Sequence, residues 1–481
     1  MEKVNGRKLS LIFIFILILL VIALLVGKLT FSYLGPTLGE DLSNEGEVTA
    51  SGDTLIFTKG SNLSLSATTD NFQTGGSNLS STTNPKVKLV ASSKTNSASA
   101  TYYVGVVINS NTYTYTTSDN TAEVILTIKD ENGNNVTSGV DGLTYVTSGG
   151  VSGFDVTGKT GLFNIKTDYP ISTTSSSTGT THTWTFTLTF VNLGTDQSDN
   201  ENASMDLDVY LQKEKILTLA EHVISQYTGS QGDDSLYYHN STLNNGAGDN
   251  SYRYAGASDS VNNYICLGSD ATTCPDANLF RIIGVFGDQT KVIRAKSVGD
   301  QKWHTSDSNT WSSSSLNTYL NGTYLTSLGT LKNKIATTTW KVGGGSWSNI
   351  GTSVPKTAYQ YEVGSNASST TYDAKIGLMY VTDYYYSASP SAWTLVGYNG
   401  SDATKDYRAA KTTNWLYLGS DEWTISRNSD TTSTAFCVNS TGFVSLDSVT
   451  ISYAVRPSFN LESSTTYVSG SGSMSDPVRI K

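Results

Sequence analysis

The segment THTWTFTLTFV (residues 181–191) carries the clearest secondary-structure signal in the chain. Within it, Trp184, Phe186, Leu188 and Phe190 alternate with threonines. Because side chains project alternately to the two faces of a β-strand, this pattern puts large apolar groups on one face and hydroxyls on the other. Such a strand is typical of an antiparallel sheet with one face in a core and the other in water.

The same alternation recurs elsewhere in the chain. It appears at residues 102–108, 124–128 and 203–211, and an Asn-Gly pair at 132–133 follows the second of these as a hairpin-turn signal. Several such strands, without a helical pattern between them, predict an all-β immunoglobulin-like sandwich over residues 53–213. The pattern resembles the immunoglobulin-like modules that space out bacterial surface proteins.

A continuous apolar run, LSLIFIFILILLVIALLVG (residues 9–27), dominates the N-terminal end and contains no charged residue. About 20 residues at a rise of about 1.5 Å each match a bilayer core of roughly 30 Å. We therefore predict a single transmembrane helix at 9–27, with residues 1–8 as a cytoplasmic tail and residues 28–52 as a stalk.

The charges beside this run predict its orientation. Lys3, Arg7 and Lys8 precede it, whereas Lys28 alone follows it before an acidic stretch. Basic residues stay on the cytoplasmic side, so the bulk of the chain is expected outside the cell, anchored in the cell membrane. A cleaved signal peptide is the alternative, but it has a shorter apolar core and a small-x-small cleavage site, which residues 28–33 lack. An uncleaved signal-anchor is therefore favoured.

Composition narrows the class of protein. The chain has 481 residues, enough for two or three domains. Hydrophobic residues make up 37% and charged residues 15%, and Ser, Thr, Asn, Gly and Tyr fill the difference, as expected of a β-rich surface protein. A net charge of −10 argues against nucleic acid as a partner. Three cysteines are too few for a disulfide-dense scaffold.

Residues 217–481 form a region of different composition, since it contains all eight tryptophans except Trp184. Thr218 and Glu221 make a capping box that predicts a helix at its start. Five phrases then follow in order: RIIG (281–284), SSLNTYLN (314–321), IGLMY (376–380), WTISR (423–427) and VRPSFNL (455–461). Together they resemble bacterial domains of unknown function related to the C-type-lectin-like and formylglycine-generating-enzyme folds.

The resemblance implies a compact mixed α/β, C-type-lectin-like domain with irregular loops on one side. Most members of that fold bind ligands, and the enzymes among them use a pair of cysteines near the C-terminus. Here that part of the chain has only Cys437, flanked by apolar residues, which indicates a small core residue rather than a nucleophile. We therefore expect no enzymatic activity and no cofactor.

Cys266 and Cys274 lie eight residues apart. A loop of that size can be closed by a disulfide when the Cα atoms approach within about 4.4–6.8 Å. In a chain outside the cell a bridge is the favoured interpretation, with two reduced structural cysteines as the alternative. Metal binding by this pair is disfavoured, because no Cys-x-x-Cys spacing or nearby His accompanies it.

Other polar residues give no catalytic or metal-binding pattern. None of the four histidines has zinc-ligand spacing, and His182 is assigned to the threonine face of its strand. The run Asp-Glu-Asn-Gly-Asn-Asn at 130–135 partly resembles a calcium loop but lacks the Gly at its sixth position and the Glu at its twelfth. Asp421 and Glu422 are expected to face solvent on opposite sides of a strand.

Two stretches combine aromatic residues with Ser and Gly, a composition typical of adaptable recognition surfaces. One stretch contains Trp347, and the other contains Tyr384, Tyr385, Tyr386 and Trp393. We predict these five residues as ligand contacts. The alternative is that the tyrosines pack the domain's own loops.

Together these patterns predict a membrane-anchored surface protein in which a β-sandwich stalk displays a lectin-like domain for adhesion or ligand binding. Residues 9–27 would contact the membrane, and an extracellular glycan or protein would be the partner. An extracytoplasmic enzyme of the formylglycine-generating type and a structural envelope protein without a dedicated ligand are the alternatives.

Overall fold

A computed structural model describes residues 46–50, 52–72 and 76–481, which form two compact units. One comprises the described residues up to Lys159 together with Phe163–Lys215, and the other comprises Thr160–Leu162 together with Ile216–Lys481. The predicted transmembrane helix at 9–27 lies outside the described residues. Among those described, no helix has the length and apolar character needed to cross a bilayer.

The first unit is built from β-strands with two short 3₁₀ turns, Thr69–Asn71 and Ser198–Asn200. In chain order its strands are β1 (Gly46–Ala50), β2 (Asp53–Thr58), β3 (Leu63–Ser66), β4 (Leu79–Thr83), β5 (Lys86–Val90), β6 (Ala98–Asn111), β7 (Val124–Lys129), β8 (Tyr145–Ser148), β9 (Val151–Asp155), β10 (Gly161–Thr173), β11 (Thr180–Thr183), β12 (Thr185–Phe190) and β13 (Ser204–Gln212).

These strands form three sheets, in the spatial orders β1-β2-β5-β11, β10-β6-β13-β3 and β4-β12-β7-β9-β8. The apolar face of β12 lies in the core: Phe186, Leu188 and Phe190 are fully buried. Its threonines pair across the ladder with β4, where the hydroxyl oxygens of Thr187 and Thr82 lie 3.0 Å apart. The alternation therefore predicts the β-rich architecture and the buried face correctly.

The predicted continuous strand at 181–191 is wrong in one respect, because the structure divides it at Trp184. Strand β11 pairs with β5 in one sheet, and β12 pairs with β4 and β7 in another. The segment paired with it, which contains β4 and β5, is interrupted opposite Trp184. There Trp184 N donates to Pro85 O at 3.1 Å. Pro85 has no N–H to continue a ladder, so both strands change sheets together at this corner.

His182 does not lie on the threonine face. Tyr102 Oη accepts a hydrogen bond from Trp184 Nε1 and lies 2.9 Å from His182 Nδ1. Residues 182 and 184 are two apart and so share a strand face. Burial lowers the pKa of His182 below its usual value, which favours a neutral ring in this aromatic setting.

The second unit combines short strands with short helices. Its strands are β14 (Leu236–Tyr238), β15 (Tyr252–Tyr254), β16 (Tyr264–Cys266), β17 (Leu279–Phe286), β18 (Gln289–Arg294), β19 (Asp300–Lys302), β20 (Thr338–Lys341), β21 (Thr371–Ala374), β22 (Glu422–Arg427), β23 (Thr434–Val438), β24 (Val444–Ser448), β25 (Ser452–Ala454), β26 (Ser458–Leu461), β27 (Tyr467–Ser469) and β28 (Arg479–Ile480). Its α-helices are α1 (Leu219–Ser225), α2 (Ser315–Tyr319), α3 (Leu325–Ser327), α4 (Trp347–Ile350), α5 (Pro355–Glu362) and α6 (Val381–Tyr386), and one π-helical turn covers Leu320–Tyr324.

The largest sheet of this unit has the order β14-β15-β17-β18-β26, with β16 also paired to β17. A second sheet has the order β19-β25-β22-β23-β24, and β20–β21 and β27–β28 form two-stranded ladders. Helix α1 begins at the predicted capping box: Glu221 N donates to Thr218 Oγ1 and Thr218 N donates to Glu221 Oε2. Five tryptophans of this unit are fully buried and fill its core: Trp303, Trp311, Trp340, Trp393 and Trp423.

Candidate functional site

Four of the five predicted ligand contacts lie in the core of the second unit. Tyr384, Tyr385 and Tyr386 belong to helix α6 rather than to a loop, and all three are buried, as is Trp393. Their polar atoms bond to backbone carbonyls, for example Tyr385 Oη to Ile350 O at 2.9 Å. Contact between these four side chains and a ligand would therefore require the core to open.

Trp347 is the predicted contact that remains partly exposed. It begins helix α4, where Ser346 Oγ caps the helix and Asp430 Oδ2 accepts from Trp347 N at 3.0 Å. Its ring lies against Gly351, where an added Cβ would stand 2.2 Å from the indole. Phe436 stacks beside it, with 6.2 Å between ring centroids. These contacts fix the indole in one orientation.

Two further aromatic rings extend the surface around Trp347. Tyr398 lies 6.2 Å from Trp347 and 4.8 Å from Phe443, measured between ring centroids. The guanidinium of Arg408 lies over both Tyr398, at 5.2 Å, and Phe443, at 5.5 Å. All four side chains are partly exposed. We call Trp347, Tyr398, Phe443 and Arg408 the aromatic rim.

Arg408 does not leave a net positive charge on the aromatic rim. Its Nε donates to Asp406 Oδ1 at 2.9 Å and one terminal nitrogen donates to Asp406 Oδ2 at 2.6 Å. The same nitrogen donates to Asn399 O at 2.7 Å. A carboxylate thus balances the charge and holds the guanidinium flat beside the rings. The rim offers aromatic faces with a neutral polar edge.

Sequence reasoning missed the rest of the rim because its members are scattered. Tyr398 precedes Asn399-Gly400, and Phe443 follows Gly442. An aromatic residue next to a turn signal was the available clue, since turn residues bring side chains to the surface.

A cluster of buried charges lies beneath helix α6 and was not foreseen. Lys291 Nζ lies 2.6 Å from Asp383 Oδ2, and an Arg253 terminal nitrogen lies 3.7 Å from Asp383 Oδ1. All three side chains are at most 6% exposed. Arg253 also binds Asp249 at 2.6 Å. We call Arg253, Lys291, Asp383 and Asp249 the ionic cluster.

The sheet explains how these charges meet. Strand pairing places Arg253 opposite Gly284, Gly284 opposite Lys291, and Lys291 opposite Asn460, so four neighbouring strands contribute one row. Gly284 allows close approach, because an added Cβ would stand 2.2 Å from Tyr252 O. Arg253 and Lys291 therefore lie on either side of Gly284, which has no side chain, and both reach the carboxylate of Asp383.

Burial and pairing shift the ionisation of the cluster. Burial alone would raise the pKa of Asp249, but the Arg253 charge and hydrogen bonds from Ser251 hold it well below its usual range. Burial lowers the pKa of Lys291, and Asp383 opposes that shift. Aromatic rings surround the cations: Lys291 Nζ lies 4.5 Å from the Tyr380 ring centroid. The opposite charges of the ion pairs neutralise one another in a site that excludes water.

The expectation that Asp421 and Glu422 both face solvent is wrong for Glu422. Glu422 is 1% exposed, and Arg456 donates to both of its oxygens. Asp421 accepts from Asn439 Nδ2 and from Ser440 N. Burial raises the pKa of Glu422, while Arg456 acts in the opposite direction.

The structure joins Cys266 and Cys274 in a disulfide with 5.8 Å between Cα atoms. Arg479 clamps the enclosed loop by donating to Ser269 O at 2.9 Å and to Ala271 O at 2.8 Å. Cys437 is free and buried, and burial raises the pKa of its thiol. A thiol held protonated in this way is a poor nucleophile.

Within the described ranges, no group of three or more His, Cys, Asp or Glu side chains is arranged to hold a metal ion. Asp130 Oδ1 instead accepts from the backbone N–H groups of Asn132 and Asn134 and closes the hairpin turn. His239 Nδ1 accepts from Ala247 N.

One comparison with known proteins bears on this region. Residues 287–463 match a family described as a domain of unknown function, DUF6273. Neither curated proteins nor solved structures gave a match. The matched segment includes the whole aromatic rim together with Lys291 and Asp383, whereas Arg253 and the disulfide loop precede it.

Proposed function

We propose that this chain is a membrane-anchored extracellular protein and that the aromatic rim binds a neutral saccharide. The observation that carries the proposal is the group of partly exposed rings of Trp347, Tyr398 and Phe443 on a rigid support. The apolar faces of sugar rings stack on aromatic side chains, and sugar hydroxyls need polar partners at the edge. Recognition sites commonly combine rigid aromatic anchors with a few placed polar groups.

Charge supports a neutral ligand over an acidic one. The Arg408 charge is already matched by Asp406, so little attraction remains for a carboxylated or sulfated sugar. The resemblance to C-type-lectin-like domains agrees with saccharide binding and remains an expectation. The enzymatic alternative gains no support from Cys437, whose thiol is buried. The structural envelope role remains the alternative that the experiment must exclude.

The test is binding of the purified full-length protein to a panel of immobilised neutral glycans. Trp347→Ala should weaken binding at least about fivefold, since an anchor of this kind contributes more than about 1 kcal/mol. Tyr398→Phe keeps the ring and should retain most binding. Tyr145→Ala, which removes a partly exposed aromatic ring from the first unit, is the matched control. Equal binding by Trp347→Ala and wild type would exclude the rim, and no binding by the wild type would favour the structural role.

A further inference from the structure

We propose that Lys291 and Asn460 become joined by an intramolecular amide bond between their side chains, with Asp383 transferring the proton. The product would be a covalent link between neighbouring strands β18 and β26. This modification is independent of what the aromatic rim binds.

The strand register places the two reacting residues side by side. Lys291 and Asn460 are directly opposite each other in the antiparallel β18–β26 ladder. Directly opposite residues project to the same face, with Cβ atoms about 4.5–5.5 Å apart. A lysine side chain is long enough to bring its nitrogen back over a side chain at that separation. The ladder therefore places an amine and a carboxamide on one face of two neighbouring strands.

Asp383 is placed to act as the acid–base group. Its Oδ2 lies 2.6 Å from Lys291 Nζ and also accepts from Tyr380 N at 2.8 Å, which fixes the carboxylate. A general base must lie within hydrogen-bond reach of the proton that it removes. Asp383 meets that requirement in the folded protein without any rearrangement.

The Lys291 amine lies among aromatic rings and is shielded from water. Lys291 is 5% exposed, and the rings of Tyr380, Trp340 and Phe286 lie within 5.8 Å of its nitrogen. Burial lowers the pKa of this amine, which reduces the free energy needed to form the neutral, nucleophilic form. Exclusion of water also protects the amide product from hydrolysis.

The carboxamide of Asn460 is bonded through its nitrogen and not through its carbonyl oxygen. Its Nδ2 donates to Thr338 Oγ1 at 3.0 Å, whereas its Oδ1 is buried and has no hydrogen-bond partner in the structure. Buried carbonyl oxygens are normally bonded, so an orphan one calls for an explanation.

The reaction balances without an added reagent. Asp383 takes a proton from Lys291 Nζ, and the neutral amine attacks Asn460 Cγ to form a C–N bond. As the bond from Cγ to Nδ2 breaks, the attacking nitrogen gives up its second proton. That proton and the one held by Asp383 both go to the departing nitrogen, so ammonium leaves and Asp383 is a carboxylate again. No electrons are transferred, so neither oxidant nor reductant is required.

The first unit provides an internal comparison. There, Asp208 lies 3.7 Å from Lys59 Nζ and accepts from Asn109 Nδ2 at 2.9 Å. The same three groups meet, but Asn109 is exposed to solvent. Solvent reaches the carboxamide there, so we expect no bond at Lys59.

The test is the intact mass of the purified, reduced full-length protein, followed by a tryptic map. The expected result is a mass below the sequence value by one ammonia molecule, and a branched peptide that joins Lys291 to Asn460. Lys291→Arg keeps the positive charge but should show its full sequence mass. A wild-type protein of full mass, with trypsin cleaving after Lys291, would overturn the proposal. A branched peptide at Lys59 instead would overturn the assignment of the site.

Discussion

Arg456 grips Glu422 with two hydrogen bonds, 2.7 Å from Nε to Oε1 and 2.8 Å from a terminal nitrogen to Oε2, at a site where both side chains are at most 3% exposed. Arg456 also donates to Leu416 O. The pair thus fastens strand β22 to the segment before β26 from inside the core. Removing one partner would leave the other charge buried and unpaired.

We predict that Glu422→Ala lowers the free energy of unfolding by about 3–5 kcal/mol, the usual cost of breaking a buried pair. Urea unfolding followed by tryptophan fluorescence measures this, since seven of the eight tryptophans lie in the second unit. The matched control is Lys296→Ala, which breaks an ion pair with Asp276 whose side chains are 59% and 65% exposed. That control should cost at most about 1 kcal/mol. Equal losses of unfolding free energy for the two substitutions would show that the buried pair stabilises the fold no more than the exposed one.

His222 should make stability depend on pH. Burial lowers its pKa from 6.5 to about 4, and its ring stacks on Tyr467 with 3.5 Å between centroids. Above pH 6.5 the ring is neutral in both states, so the full stability is present. As the pH falls from 6.5 towards 4, only the unfolded chain takes up the proton, and stability is lost. Urea midpoints at pH 7 and pH 5 measure the loss, and His222→Phe should reduce it. An unchanged difference between the two pH values in that variant would contradict this role.

The Cys266–Cys274 bridge should stabilise the second unit modestly. Because its loop is short, Cys274→Ser is expected to cost about 2–3 kcal/mol of unfolding free energy. Peptide mapping without reduction should show Cys266 joined to Cys274 and Cys437 as a free thiol. Arg479→Ala is a useful companion, since it removes the clamp on the loop but keeps the bridge. Detection of Cys437 in a mixed disulfide would contradict both assignments.

Tyr385 and Trp393 should behave as core residues. Each is at most 1% exposed, so replacement by Ala is expected to cost about 3–5 kcal/mol. Trp347→Ala should cost less, because its ring is partly exposed. Thermal unfolding by near-UV circular dichroism compares the three variants. If Tyr385→Ala kept the wild-type melting temperature, the burial of this side chain would have no energetic consequence.

The topology predicted for residues 9–27 can be tested in cells. Protease added to intact cells should digest the chain beyond residue 52 and leave a small membrane-bound fragment, because the anchor is expected to be uncleaved with its N-terminus inside. A mature protein beginning near residue 30 by N-terminal sequencing would contradict the anchor. A cytoplasmic marker protein that stays intact is the control.

Sequence reasoning found elements whose cause is local. The alternation around Phe186 and Leu188 follows from the two-residue period of a strand, and the Thr218–Glu221 capping box needs only neighbours in the chain. The corner at Trp184 was missed because it depends on Pro85, about a hundred residues away along the chain.

The candidate site was harder to predict for the same physical reason. The run Tyr384 to Tyr386 has the composition of a binding loop, yet burial of its rings stabilises it as a helix in the core. Asp383 and Lys291 pair across 92 residues of chain, and neither shows a local motif. The exposure of an aromatic ring depends on which residues pack over it in the folded protein. Local amino-acid composition does not reveal those residues.

The corner at Trp184 and Pro85 has a mechanical consequence. Strands β4 and β5 continue into each other across this point, as do β11 and β12, so a single pair of chain segments passes from one sheet to another. Tension applied along either strand is transmitted directly into the neighbouring sheet through covalent backbone. The two sheets are therefore expected to resist together a pull along these strands.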